Sequence, residues 1–411
     1  MRITYVADYR SPIARQWIDW MSERHTLQVI SSYRLPYDYS PQGLPIEFEP
    51  LGPAAVAQSL VITLRRFQRR HSGITYRSSA RPRDLGSLGS ANRRVSRLAN
   101  LVGPLEILTH TRQLSNTIDS FEPDLVHAMR IPYEAIAAVR SVRGRPFVSS
   151  IWGNDLTLHG EGSKMLGALT RGVLKRTDAL HTDCYRDHRL ASKWGWDDTK
   201  PSLVIPGSGG IDSRKFFPGS SPLRIQLGIP DDAPVVLNAR GVRGYSYTSP
   251  FLDAIESLLK MRNEIHVVCT GMTRYAWIRE RVKGMSFFDR VHLLPDMSHA
   301  EMPDVYRLAD VTVSLTSHDG TPNSLLEALA SGCLPVVSPL ESVLEWVEHE
   351  VNGLVVDPTD TKAIVATLIR AVDDDQLRKS ARHANITLVR ERADLETCME
   401  RAIPFYQSIL A

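Results

Sequence analysis

Val311-Thr312-Val313-Ser314-Leu315-Thr316-Ser317-His318-Asp319-Gly320-Thr321-Pro322-Asn323-Ser324-Leu325-Leu326-Glu327-Ala328-Leu329-Ala330-Ser331-Gly332 is the stretch whose reading decides the fold. Its β-branched, apolar opening, Val311–Leu315, reads as a short buried strand. Asp-Gly-Thr-Pro supplies a turn, and a helix follows from about Ser324 to a stop at Gly332. The free N–H groups at such a helix start, together with the helix dipole, form a ready site for an anion. Asp319 and Glu327 bracket it, eight positions apart, one on the loop and one in the first helical turn, so both can face one ligand. Taken singly the parts have ordinary explanations. Ser324-Leu-Leu-Glu327 fits a capping box that only closes the helix start, and Asp319-Gly320 is a common turn dipeptide.

Working outward, the same alternation of short apolar runs and longer periodic segments fills the chain. Upstream, strands are expected at Ile3–Ala7, Leu27–Ser31, Leu125–Ala128, Phe147–Ile151, Ala179–Asp183 and Ser202–Ile205. Helices are expected at Ile13–Glu23, Leu105–Ser120 and Gly162–Thr177. A Gly/Ser/Pro-rich break at 207–222 separates this half from a second series that begins with the strand Val235–Ala239 and includes the opening stretch. The division predicted is therefore a first domain over 1–206, a linker over 207–222, a second domain over 223–393, and a final helix within 394–411. Strand–helix alternation means α/β domains, each a doubly wound, Rossmann-like parallel sheet covered on both faces. Such sheets take ligands beyond the carboxyl ends of their strands, and a cleft between two of them is the expected pocket.

Composition narrows the class. A chain of 411 residues with 43% hydrophobic and 23% charged residues is that of a soluble globular protein of two or three domains. A net charge of +3 does not call for nucleic acid as a partner. The chain opens with a strand, no secretory signal is read, and no apolar run reaches the length of a membrane span, so a cytoplasmic protein is expected. The four cysteines lack metal or redox spacing and are expected reduced and buried. No Asp/Glu/His cluster has metal-site spacing. No Gly-x-Gly-x-x-Gly follows the first strand, which argues against a dinucleotide-dependent oxidoreductase. Charge is uneven, however: 61–100 holds ten arginines against one acid, Asp84. That segment suits the surface of an anionic membrane, with a solvated loop as the plain alternative.

The string from Asp319 to Gly332 resembles the donor-site signature of the retaining family 4 glycosyltransferases (glycosyl transferases group 1). The signature is an acidic residue, Gly, x, Pro, Asn or Ser, three positions, then Glu-Ala-x-Ala-x-Gly. The resemblance extends over most of the chain and is most specific from Pro234 to Asp357. It implies a GT-B fold with the last helix crossing back to the first domain, and a nucleoside-diphosphate sugar as donor, UDP-sugar before GDP-sugar. No cofactor and no metal are implied. By analogy Glu327 holds the ribose. The backbone of Gly320, Thr321, Pro322, Asn323, Ser324 and Leu325 cradles the phosphates, and Asp319, in place of the more usual Glu, contacts the sugar. Charge building on the leaving diphosphate calls for cations. Arg240 stands at the family's arginine. The family's lysine position falls near Tyr245–Tyr247, which leaves Arg243 as the nearest substitute.

In the first domain the resemblance points to His127 as catalytic, in a His-x-His slot whose second member is Met129. It also points to Asn154 and Asp155, in a His-Gly-x-Asp stretch where Trp152 replaces the histidine. Tyr9 and Arg10, on a first loop without the family's glycine pair, complete an acceptor side. The activity implied is metal-independent transfer of a hexose-type sugar to a hydroxyl with retention. The acceptor implied is a glycan or lipid-linked glycan of cell-envelope polysaccharide or glycolipid biosynthesis. A non-catalytic sugar-nucleotide-binding subunit and a GT-B-fold sugar-nucleotide epimerase stay open as alternatives.

Overall fold

Two parallel sheets stand in series in the computed structural model, which describes residues 1–32, 46–47, 111–162 and 164–410. The arginine-rich segment read for a membrane surface lies outside the described residues. The first sheet comprises β1 (Arg2–Ala7), β2 (Thr26–Ser31), β3 (Ile46–Glu47), β4 (Leu125–Ala128), β5 (Phe147–Ile151), β6 (Ala179–Thr182) and β7 (Ser202–Val204). Their order is β3-β2-β1-β4-β5-β6-β7. The second comprises β8 (Val235–Asn238), β9 (His266–Cys269), β10 (Val291–Leu293), β11 (Val311–Ser314), β12 (Leu334–Val337) and β13 (Leu354–Val355), ordered β10-β9-β8-β11-β12-β13. Registers such as Ile3 with Leu125 and Val311 with Leu334 are parallel throughout. β4, β5, β6, β8 and β12 are buried at every position, as strands with helices on both faces must be.

In each sheet the strand order reverses at one place, between β1 and β4 and between β8 and β11. Side chains just past those four strand ends, such as Asp8, Arg130, Arg240 and Asp319, line one cleft.

The helix after β11 runs Asn323–Ala330 with Pro322 as its N-cap. Its end is a Schellman motif: Gly332 at φ 82° donates to the Leu329 carbonyl and Cys333 to that of Ala328, both at 3.0 Å. The helix Asp375–Arg392 has no counterpart in the sequence reading. It shows solvent so much polar surface that only Leu377, Ala381, Asn385 and Val389 mark its buried side.

The chain passes between domains twice, and the two passages pair. The Ile211 amide donates to the Ala393 carbonyl at 2.7 Å and the Leu395 amide to the Ile211 carbonyl at 3.0 Å. The side chain of Gln16 ties this crossing to the first domain through the carbonyls of Ser208, at 3.1 Å, and Gly210, at 2.7 Å. Beyond it the helix Leu395–Gln407 lies on the first domain, burying Cys398, Met399, Ala402 and Tyr406 against Tyr5, Trp17 and Met129. The four cysteines are free and buried. Among the described residues no helix is long and apolar enough to cross a membrane.

Candidate functional site

The cleft between the sheets has a volume of about 560 Å³ and takes its walls from both domains. Of the residues singled out from sequence, it brings together Arg240, Arg243, Asp319, Gly320, Thr321, Pro322, Asn323, Ser324, Glu327 and Asn154. Arg240 leaves the end of β8 and reaches the loop after β11. One of its terminal nitrogens donates to Ser324 Oγ at 3.0 Å and the other pairs with the Asp319 carboxylate. Burial pushes the Asp319 carboxyl up, while Arg240 and Arg186 pull it back. Arg243 is exposed and its side chain has no hydrogen-bond or ion-pair partner among the described residues.

Glu327 decides between capping and ligand binding. The helix begins at Asn323, so Glu327 occupies its fifth position, and no side chain caps the start. Its Oε1 accepts from His299 Nε2 at 3.1 Å across the cleft wall. The capping box therefore does not form. The Leu325 amide is closed off, donating to the Pro322 carbonyl at 2.9 Å, whereas those of Asn323 and Ser324 bond to no described residue. Two free N–H groups at a helix start, beside an arginine, are what an anion needs.

The motif loop is also stitched to the first domain. Asp183, after β6, accepts from the amides of Gly153 at 3.4 Å and Thr321 at 3.3 Å, and its carbonyl accepts from the Thr321 hydroxyl. Arg186 donates to the carbonyls of Asp319, at 2.5 Å, and Gly153, at 2.8 Å, while its charge is held by buried Asp187. Gly153 and Gly320 touch backbone to backbone, so a Cβ on either would overlap the other loop. Burial, with Asp187 close by, raises the Asp183 carboxyl well above the usual range. Asp183, Cys184 and Asp187 are the one group of described residues spaced closely enough to hold a metal ion. Arg186 already engages Asp187, and burial pushes the Cys184 thiol far up, against thiolate ligation.

Residues 221–387 match the family described as "Glycosyl transferases group 1". That match takes in most of the second domain. Residues 52–207 match the "Glycosyl transferase 4-like domain". The chain is 25% identical to the D-inositol 3-phosphate glycosyltransferase of Thermobispora bispora over 185 residues, 42% of this chain and 43% of that one. It is 29% identical to the lipopolysaccharide core biosynthesis mannosyltransferase LpsB of Rhizobium meliloti over 196 residues, 45% of this chain and 54% of that one. These matches thus span about half the length of the curated relatives. A sucrose-phosphate synthase from Thermosynechococcus elongatus superposes with a TM-score of 0.73 at 13% identity, covering 99% of this chain and 98% of that one. HepE of Anabaena, solved with UDP-glucose, does so at 0.67 and 15% identity, covering 99% and 100%. Likeness at that identity is one of fold, and the fold is GT-B, as the resemblance implied.

Five residues chosen from sequence are withdrawn from the cleft of this fold. His127 is fully buried in a hydrogen-bonded chain whose direction is set at one end by a carbonyl. His181 Nε2 donates to the Ile205 carbonyl at 3.0 Å, so its Nδ1 accepts from Ser150 Oγ at 2.8 Å. Ser150 then accepts from His127 Nε2 at 2.7 Å, and His127 Nδ1 accepts from the Tyr406 hydroxyl at 2.7 Å. Both ring nitrogens are spent, and burial with His181 nearby holds the ring well below the usual histidine range. His127 is a neutral core residue, not a base. Tyr9 is buried and donates to Asp19 at 2.7 Å. Arg10 is exposed on the salt bridge to Asp8, at 2.9 Å. Leu325 packs into the core of the second domain. Asp155 is buried and accepts from Arg130 Nε at 2.9 Å and from the amides of Ile131 and Trp152, at 3.3 and 3.1 Å, so it shapes the wall without facing the cleft.

Sequence reasoning missed Arg130, Glu134, Asp183, Arg186 and His299. Four of them line the cleft, and Arg186 sits behind it. Arg130 stands two positions past the end of β4. Glu134 lies in the π-type turn Ile131–Ala135, where neither helical nor strand periodicity marks it.

Proposed function

We propose that the chain is a retaining glycosyltransferase that moves a hexose-type sugar from a nucleoside diphosphate, UDP before GDP, to a hydroxyl acceptor. One observation carries the reading: a single cleft holds the Arg240–Asp319 pair, unpaired Arg243, two uncommitted helix-start amides and the Glu327 carboxylate. Each matches one part of a sugar nucleotide. Glu327 accepts from the vicinal ribose hydroxyls, and the Asn323 and Ser324 amides take the diphosphate. Arg240 and Arg243 neutralise the charge that grows on it as the glycosidic bond breaks. Asp319, fixed by Arg240, receives a hydroxyl of the transferred sugar. With His127 sealed away, the histidine chosen from sequence does not serve as base, which favours a front-face route. In that route the departing phosphate oxygen takes the acceptor's proton as its hydroxyl oxygen bonds to the anomeric carbon. The arginines supply the counter-charge without a metal ion. We place the acceptor among glycans or lipid-linked glycans of the cell envelope, with the protein on the cytoplasmic side.

The test is a melting-temperature screen against nucleoside diphosphates and their sugars, followed by the anomeric configuration of the product by NMR. A ligand that binds only the folded state raises the melting temperature with concentration, so UDP and a UDP-hexose are expected to do so. The reading is lost if no nucleotide binds, or if donor alone is converted to its epimer.

A further inference from the structure

The two walls of the cleft are chemically unlike. Most buried polar groups in a folded protein find a partner, so those without one, on residues that line a cavity, call for a reason, and a ligand entering the cavity is one. Four such atoms belong to residues lining this cleft: Arg240 Nε on the second domain, and Glu134 Oε2, Trp152 Nε1 and Asn154 Oδ1 on the first. The Glu134 side chain is 2% exposed. Its Oε1 accepts from Ser32 Oγ at 2.6 Å, which leaves Oε2 as the oxygen without a bond. The first-domain trio thus offers two acceptors and one donor, the complement of a sugar ring's hydroxyls.

The same wall is poor in free positive charge. Among the described first-domain residues lining the cleft the one cation is Arg130, which spends two of its guanidinium nitrogens on Asp155 at 2.9 Å and on His159 at 3.3 Å. Three carboxyl groups, Asp8, Glu134 and Asp183, share that wall. A phosphate brought against it would find few donors to satisfy its oxygens.

We propose that Glu134, with Trp152 and Asn154, forms an acceptor subsite for an uncharged, polyhydroxylated sugar and discriminates against phosphorylated acceptors. The inference rests on the glycosyltransferase reading and adds the acceptor's class to it. It separates this chain from the relatives whose name specifies an inositol 3-phosphate acceptor.

The experiment uses the full chain at pH 8, where Glu134 is ionised, saturated with UDP. Methyl glucoside, methyl mannoside, myo-inositol, glucose 6-phosphate and inositol 3-phosphate are titrated in by calorimetry. At least one neutral compound is expected to bind at least tenfold more tightly than the phosphorylated ones. Glu134→Gln should keep UDP affinity within twofold while cutting that preference severalfold, and Glu134→Ala should weaken the neutral compound at least tenfold. A phosphorylated compound binding as tightly as the neutral ones overturns the proposal, as does a preference unmoved in both variants. UDP failing to bind overturns the glycosyltransferase reading and the subsite with it, whereas UDP binding with the wrong preference overturns the subsite alone.

Discussion

Glu327 accepts nothing from the amides at the start of its helix, and replacing it therefore separates two kinds of loss. Glu327→Ala removes a carboxylate from the cleft wall and its bond to His299, but no cap. A charge-assisted hydrogen bond is worth roughly 1.5–3 kcal/mol, so nucleotide affinity should fall by about tenfold to a hundredfold. The melting temperature should barely move; unchanged affinity with a clear drop in melting would return the residue to a structural role. Glu134 gives a signature in pH. Burial is the main cause that lifts its carboxyl from 4.5 to about 7, Ser32 and Arg130 pull it down, and Asp8 lifts it further. Between those values the folded chain keeps a proton the unfolded chain has lost, so the Glu134 contribution to stability declines as pH rises through that window. At 1.36 kcal/mol per pKa unit the decline is of order 3 kcal/mol. Glu134→Gln should therefore gain on the parent chain between pH 4.5 and pH 8 in denaturant unfolding. A stability difference that is the same at both pH values would mean another group titrates.

At the scale of elements, the loops after β5 and β11 meet through Gly153 and Gly320 with no room for a side chain. Gly320→Ala would also drive its Cβ into the Asp183 carboxylate. It should hold the domains apart, leaving UDP binding by the second domain within a fewfold of normal and lowering turnover by at least a hundredfold. Parallel loss of both would point to damage within the second domain instead. The element from β11 to Gly332 was readable because each of its parts obeys local rules: a β-branched run, a turn, and a glycine where φ must be positive. His127 was misread because a strand end beside a cleft and a strand end beneath a helix carry the same local pattern. What covers it is Tyr406, 279 residues away. Glu134 left no signal for a similar reason. Its burial comes from Ser32, 102 positions earlier, and no short-range pattern reports that contact.

For the whole molecule, closure is written into hydrogen bonds that cross the seam. Asp183 and Arg186 of the first domain hold the backbone of Gly320's loop, so these bonds tie the two walls of the cleft together. Arg186→Ala leaves Asp187 buried without its partner, a change that costs about 3–5 kcal/mol where buried pairs are broken. It should also raise the radius of gyration of the unliganded protein in solution scattering; an unchanged radius would mean that the seam is held elsewhere. The helix Leu395–Gln407 has a consequence of another kind, in time rather than in energy. The core around Trp17 is closed by Met399 and Tyr406, which follow the whole second domain in the chain. The second domain is thus complete in the growing chain before the helix that covers the first has been made. Nascent chains halted after residue 393 should show a protease-resistant second domain and a first domain that is cut readily. Those extended through residue 410 should resist in both.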